Sequence, residues 1–260
     1  MERDRVRLLA VRLLWGFGVL LTGGGIAALA LRAPLSGSIL LGGGLVALGL
    51  NVLLSGGELS LGLTPRPFTA RGVVVRGLLE ARTGFSDLRV ASCSPDRIAA
   101  IQYGPFGRPE FRAAEGVAYV GLKGSLLRPN IAPWRADLAP NVLWDLEVRS
   151  LLGDLSFDLR NLRLDHVTAS TALGRLSVIA PVRGYVSLEL KTTIGEIALQ
   201  IPPSTGARIS IRRGRLTTLR IKNDRLLAVG AHQYSTPDAE TADAQVEIQI
   251  EALAGDIILT

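Results

Sequence analysis

Hydrophobic and polar residues alternate with period two through most of the second half of the chain. Ser156 and Asp158 separate Leu155, Phe157 and Leu159; Ser187 and Glu189 separate Val186, Leu188 and Leu190; Glu247 and Gln249 separate Val246, Ile248 and Ile250. Such alternation predicts strands with one buried and one wet face. The strands share a recurring head: Gly153-Asp-Leu-Ser-Phe, Gly174-Arg-Leu-Ser-Val, Gly195-Glu-Ile-Ala-Leu, Gly214-Arg-Leu and Gly255-Asp-Ile-Ile-Leu. The first three glycines stand 21 residues apart, the fourth 19 further on and the fifth 41 beyond that, a gap of about two periods. A fixed period near 20 residues predicts stacked repeats, each burying its apolar edge on its neighbours. The expected fold is an all-β C-terminal domain, a parallel β-helix with one turn per repeat. An antiparallel β-sandwich is the rival, although hairpin dipeptides such as Asn-Gly are missing between the strands.

The pattern extends upstream in weaker form. Gly77-Leu-Leu-Glu80, Gly84-Phe-Ser-Asp-Leu-Arg-Val90 and Ile98–Tyr103 repeat it, so the coil is expected over 72–260, with Val73-Val74-Val75 among its first β-formers. Five prolines between 104 and 140 predict loops leaving the coil there, with Val117–Leu122 as a strand among them. Glycines and Pro65 and Pro67 mark 57–71 as a linker.

Residues 1–56 follow a different pattern. The run 13–31 is uncharged and long enough to cross about 30 Å of hydrocarbon as a helix; 35–54 is a second such run, after a turn at Arg32-Ala-Pro34. Two transmembrane helices are expected, at about 9–31 and 36–55, forming a hairpin anchor. A signal peptide is the rival for the first. Gly23–Gly25, Ala27 and Ala28 in one run and Gly42–Gly44, Ala47 and Gly49 in the other would let the helix backbones approach closely. Arg3, Arg5, Arg7 and Arg12 precede the first run and Arg66, Arg71 and Arg76 follow the second, with only Arg32 between. The positive-inside rule then places both ends, and the β domain, in the cytoplasm of a multi-pass cell-membrane protein.

The net charge is +6, of which residues 1–56 hold +3, so the basic balance is partly a topology signal and weak evidence for nucleic acid. The single cysteine, Cys93, excludes an intrachain disulfide and any CxxC site. His166 and His232 have no metal-ligand spacing, and no phosphate-binding glycine loop or Gly-x-Ser-x-Gly elbow is present. No cofactor, metal or catalytic residue is expected. The acids Asp154, Asp158, Asp165, Glu189 and Glu196 could stack into a ladder. Paired carboxylates are what glycoside hydrolysis needs, so a membrane-tethered carbohydrate-active enzyme is the alternative. One basic stretch stands out: Arg208, Arg212, Arg213, Arg215, Arg220 and Lys222, with Ile209 and Ile211 alternating, so that several of the cations should share a face. It would suit anionic headgroups or an acidic partner, or be an ordinary charged sheet face; no aromatics are interleaved to favour nucleic acid.

The order of parts, an anchor and then Trp144-Asp-Leu-Glu-Val, Gly153-Asp-Leu-Ser-Phe-Asp-Leu, Leu162-Arg-Leu-Asp-His-Val, Gly174-Arg-Leu-Ser-Val-Ile-Ala-Pro181, Gly195-Glu-Ile-Ala-Leu-Gln-Ile-Pro202, Tyr234 and Gly255-Asp-Ile, resembles the toast-rack, or LiaF-type, domains of bacterial cell-envelope stress proteins. The resemblance implies a right-handed single-stranded β-helix without catalysis, modulating membrane stress signalling, often by restraining a sensor histidine kinase. The partners expected are membrane lipid, a sensor kinase or other membrane protein, and a second copy through the terminal β edge, placed at Ile257–Leu259.

Overall fold

The structure, a computed structural model, describes residues 18, 20–22, 24, 26, 38–46, 65–104, 109–123 and 133–260. The chain divides into two compact units, Met1–Ser60 and Leu61–Thr260. In the first unit the described residues are helical. A Cβ on Gly44 would come within 2.3 Å of Thr22 Oγ1 and 2.9 Å of Gly18 O. Small residues thus bring two helical segments into backbone contact. Among the described residues no helix is long and apolar enough to cross a membrane. Most of the expected spans at 9–31 and 36–55, and residues 57–64 of the expected linker, lie outside the described residues.

The described residues of the second unit form an all-β fold. Its strands are β1 (Arg66–Ala70), β2 (Arg76–Thr83), β3 (Leu88–Ser92), β4 (Ala99–Tyr103), β5 (Glu110–Ala114), β6 (Val117–Lys123), β7 (Trp134–Leu138), β8 (Leu143–Leu152), β9 (Leu155–Asp158), β10 (Arg163–Ile179), β11 (Gly184–Gln200), β12 (Thr205–Ile221), β13 (Leu227–Gly230), β14 (Gln233–Ser235) and β15 (Ala244–Leu259). All fifteen belong to one sheet. Its central run is parallel and in register, with His166 beside Ser187, Gly174 beside Gly195 and Ile179 beside Gln200. The 21-residue spacing of the sequence is therefore the spacing of neighbouring strands.

Identical positions stack into columns. Leu79, Leu146, Val167, Leu188, Ile248 and Ile209 form one inward column, and Leu88, Leu155, Leu176, Ile197 and Ile257 another. All are buried in one continuous core. Burial of a Leu or Ile side chain is worth about 1.5–3 kcal/mol, so these columns supply most of the drive for stacking. Between the two columns each long strand turns a corner at a glycine. Gly174, Gly195 and Gly255 have φ of 145°, 154° and 119°. A Cβ on Gly195 would lie 1.9 Å from Gly174 O, and one on Gly255 1.8 Å from Gly195 O. Only glycine permits both the backbone angle and the close approach.

Four expectations are corrected. First, β15 does not follow β12 at the end of the stack; it lies between β11 and β12, paired with both along nearly its whole length. Ile257–Leu259 is therefore interior and the open terminal edge passes to β12. The inward residues of β15 are buried throughout, whereas the second half of β12 carries Arg220 and exposed Thr218, which suits an edge. Second, Gly214 does not join the glycine column. The register of β12 jumps between Arg213, beside Ala252, and Leu216, beside Ala254. Third, Val73 and Val75 are exposed and precede β2, which begins at Arg76. Fourth, antiparallel pairs edge the stack: β1 lies within the expected linker and pairs with β4, β4 with β7, and β5 with β6. Phe68 of β1 explains the first of these, because it packs on the core and against Phe111 at 6.2 Å. The stretch expected to loop out over 104–140 contains β5, β6 and β7, of which β6 pairs in parallel with β2.

Candidate functional site

The six predicted basic residues all fall on or just after β12, but they do not share one face. Arg208 and Arg212 alternate with buried Ile209 and Ile211 and point outward before the corner. Arg213 and Arg215 flank Gly214 in the bulge. Arg220 and Lys222 lie beyond it, on the next flat. One side of β12 is fully used by β15; on the other, β14 pairs only with Arg208–Ser210, and Ile211 N donates to His232 O. Among the described residues no strand covers 212–221. Arg212, Arg213, Arg215 and Arg220 thus line an open strand edge, whose outward N–H and C=O groups have no ladder partner among the described residues.

Their ion pairing is uneven. Arg208 pairs with Glu240 and Arg220 approaches Asp256 at 3.6 Å. Among the described residues Arg212, Arg213, Arg215 and Lys222 form no ion pair. The contrast is with β2, β8 and β11. Glu80 and Arg82 pair at 2.9 Å, Glu147 and Arg149 at 2.8 Å, and Glu189 and Lys191 at 2.8 Å, each acid two residues before its cation on the same outward face. Lys191 holds the Glu189 carboxyl below its ordinary range through their hydrogen bond, and the Tyr119 hydroxyl, at 2.8 Å, does the same to Glu80. On β12 the corresponding position is Ser210, so Arg212 has no acid of its own. An open groove of about 820 Å³ crosses the strands here, lined by Arg149, Lys191, Arg212, Arg213 and Glu251 among others. Sequence reasoning missed Arg149 and Lys191 as neighbours of the basic stretch. The Glu-x-Arg and Glu-x-Lys spacing, shared by 80–82, 147–149 and 189–191, was the signal that could have found them.

The five acids considered for glycoside chemistry are occupied separately. Asp154 Oδ1 accepts the Arg175 N–H at 2.8 Å, Asp158 pairs with Arg160 at 2.7 Å, Asp165 with Arg76 at 2.8 Å, Glu189 with Lys191, and Glu196 with Arg175 at 2.5 Å. Arg160 holds the Asp158 carboxyl below its ordinary range. A carboxyl held ionised by its own cation is a poor general acid. His166 hydrogen-bonds Thr168 at 2.9 Å, and His232 occupies a turn with φ of 65°. The described residues contain no group of three side chains able to hold a metal ion.

An all-β unit with a corner-glycine parallel stack and a charged rim is the class that these features define. No family model matches the chain, and no curated protein matches it. Among solved structures, the chain is similar to a putative cell adhesion protein from Clostridium sporogenes ATCC 15579, with a TM-score of 0.63 and 14% identity, over 75% of this chain and 98% of that one. A second similar structure is a putative adhesin from Bacteroides fragilis NCTC 9343, with a TM-score of 0.31 and 8% identity, over 75% of this chain and 96% of that one. At 14% identity the first likeness is one of fold alone.

Proposed function

We propose that the chain is a non-enzymatic, membrane-anchored interaction protein, and that its β unit is a right-handed single-stranded β-helix of the toast-rack, LiaF-like kind. It acts by holding an extended acidic segment of a partner protein along β12, and through that contact it modulates cell-envelope stress signalling. A membrane sensor such as a histidine kinase is the partner this role calls for. The observation that carries the proposal is the open edge at 212–221, where unpaired backbone groups and three cations without ion partners, Arg212, Arg213 and Arg215, occur together, with Lys222 just beyond. An extended peptide added there would complete the ladder, and acids on its alternate residues would meet Arg212 and Lys222. The engagement of each acid by its own partner, a cation for Asp158, Asp165, Glu189 and Glu196 and a backbone N–H for Asp154, supports the absence of catalysis, and the apolar runs 13–31 and 35–54 support the anchor. The arginines around those runs support a cytoplasmic side for the β unit.

The test uses the full-length protein in detergent micelles and a synthetic peptide of alternating Glu and Val. Binding should slow amide exchange at 212–221 and fall about tenfold or more in the Arg212→Glu/Arg213→Glu/Lys222→Glu variant. Exchange left unchanged at 212–221, or binding that survives the charge reversal, overturns the edge assignment. An exported reporter fused after Thr260 would overturn the cytoplasmic placement.

A further inference from the structure

At the glycine corner, successive passes of the chain turn an aliphatic or aromatic side chain outward. Leu152, Leu173 and Ile194 are in register with one another, Ile194 is beside Ala254, and Ala254 is beside Leu216. Phe85 extends the row at the other end, because Gly84 O accepts the Leu152 N–H. Leu253 stands next to the row. None of these side chains is buried: Ile194 is 53% exposed, Leu253 62% and Leu216 79%. With strands about 4.8 Å apart, six passes make an apolar ridge about 24 Å long. A contiguous apolar row of this length is unusual on the surface of a soluble unit and marks a contact site.

The charges beside the ridge identify what it contacts. In the row nearest the ridge on the side before the corner stand Arg82, Arg149, Lys191 and Arg212, with Glu251 the one acid in that row, while Glu80, Glu147 and Glu189 pair with the first three from the next row out. In the nearest row after the corner stand Asp87, Asp154, Glu196 and Asp256, with Arg175, which pairs with Glu196, the one cation. The two rows nearest the ridge are thus opposite in sign, basic before the corner and acidic after it. An anionic bilayer or an acidic peptide laid on the ridge would meet attraction on one flank and repulsion on the other. A second copy does not have this conflict. Rotation by 180° about an axis along the ridge keeps each pass opposite the same pass and exchanges the flanks. Arg82 then approaches Asp87 of the second copy, Arg149 approaches Asp154 and Lys191 approaches Glu196. Glu251 opposite Asp256 is the one mismatch. An axis across the ridge would instead set the basic flank against itself.

We propose that the glycine-corner ridge is a self-association surface, on which two copies dock in parallel, ridge to ridge, about a two-fold axis running along it. The contact is isologous, as in most homodimers. It meets the open edge of β12 only at its last pass, through Leu216 and Arg212, and its tests at Lys191, Ile194 and Glu196 lie on β11, so its failure is distinguishable from failure of the proposed function. The test uses full-length protein in a mild detergent, with Cys93→Ser as background. Sedimentation should show a dimer. A single Ile194→Cys should oxidise to a covalent dimer, because Ile194 faces its own copy across the axis, while Ser187→Cys, on the same strand but away from the corner, should not. Lys191→Glu should weaken the dimer about tenfold, and Lys191→Glu/Glu196→Lys should restore it, since these two residues are not partners within one chain. A wild-type protein that remains monomeric, cross-linking at Ser187 equal to that at Ile194, or a double variant as weak as the single one would each overturn the proposal.

Discussion

Strands β12 and β15 lie side by side and pair over nearly their whole length, and both open with the same alternation, Ala207, Ile209 and Ile211 against Val246, Ile248 and Ile250. One is core and the other rim. β15 has a neighbour on each side and keeps its inward residues buried from Ala244 to Leu259. β12 has a full neighbour on one side only; it bulges after Arg213, and beyond the corner Leu219 is only half-buried and Ile221 is exposed. Local pattern therefore decides that a segment is a strand, while the number of neighbours decides how much that strand contributes and which side chains it can carry outward. A strand flanked on both sides cannot tolerate a run of unpaired cations, whereas an edge gains from one, because charge discourages unwanted pairing.

The corner glycines give the sharpest test of this contrast. Gly195→Ala would place a Cβ 1.9 Å from Gly174 O at a φ of 154°, in the middle of a stack that cannot open. A loss of more than about 4 kcal/mol in urea unfolding is expected, enough to prevent folding of the unit. Gly214→Ala also meets backbone, at 2.1 Å from Leu253 O, but its φ is not left-handed and β12 can shift outward. About 1–2 kcal/mol is expected there. Equal losses at the two sites would break the distinction between core and rim.

Side-chain truncation gives a smaller but cleaner difference. Ile248→Ala leaves a cavity between Leu188 and Ile209 and should cost about 2–5 kcal/mol. Leu219→Ala, at a half-buried position in β12, should cost about 1 kcal/mol. Native-state hydrogen exchange sharpens the same point without mutation. Amides of 246–258 should exchange only by global unfolding, and the outward amides of 212–221 by local opening.

These outcomes also separate what was legible in the sequence from what was not. The columns were legible, because Leu155, Leu176 and Ile197 keep one phase and one glycine head, and that information is local. The order of the last strands was not. Gly214-Arg-Leu216 carries the same head as its neighbours at almost the same spacing, and only the pairing of β15 with both β11 and β12 shows that it was displaced. That pairing joins residues about 60 positions apart, such as Val186 and Val246, and no local pattern encodes it. The basic stretch was legible as residues but not as an edge. Arg208 and Arg212 share an outward face, and the corner at Gly214 divides them from Arg220 and Lys222. The apolar ridge escaped for a related reason. Leu152, Leu173 and Ile194 each break the alternation by one residue beside a glycine, so each alone reads as a turn residue.

The smallest expected effect lies in the outward charges. Glu80 and Glu189 have folded carboxyl groups held below their ordinary value of 4.5. Their contribution is therefore present above that unfolded value and is lost as pH falls through the lower folded one. Both are substantially solvated, so each pair is worth about 0.2–1 kcal/mol, less at high salt. Unfolding free energy measured at low salt should fall as pH is lowered from 5 to 3, and Glu189→Gln should flatten part of that fall. β12 lacks the acid at this position, which makes the comparison constructive. Ser210→Glu would place a carboxylate two residues before Arg212, where Glu189 stands before Lys191. It should add a few tenths of a kcal/mol at pH 7 and bring the same acid dependence to the rim. A gain at pH 7 that persists unchanged at pH 3 would show that the substitution acts through something other than the pair.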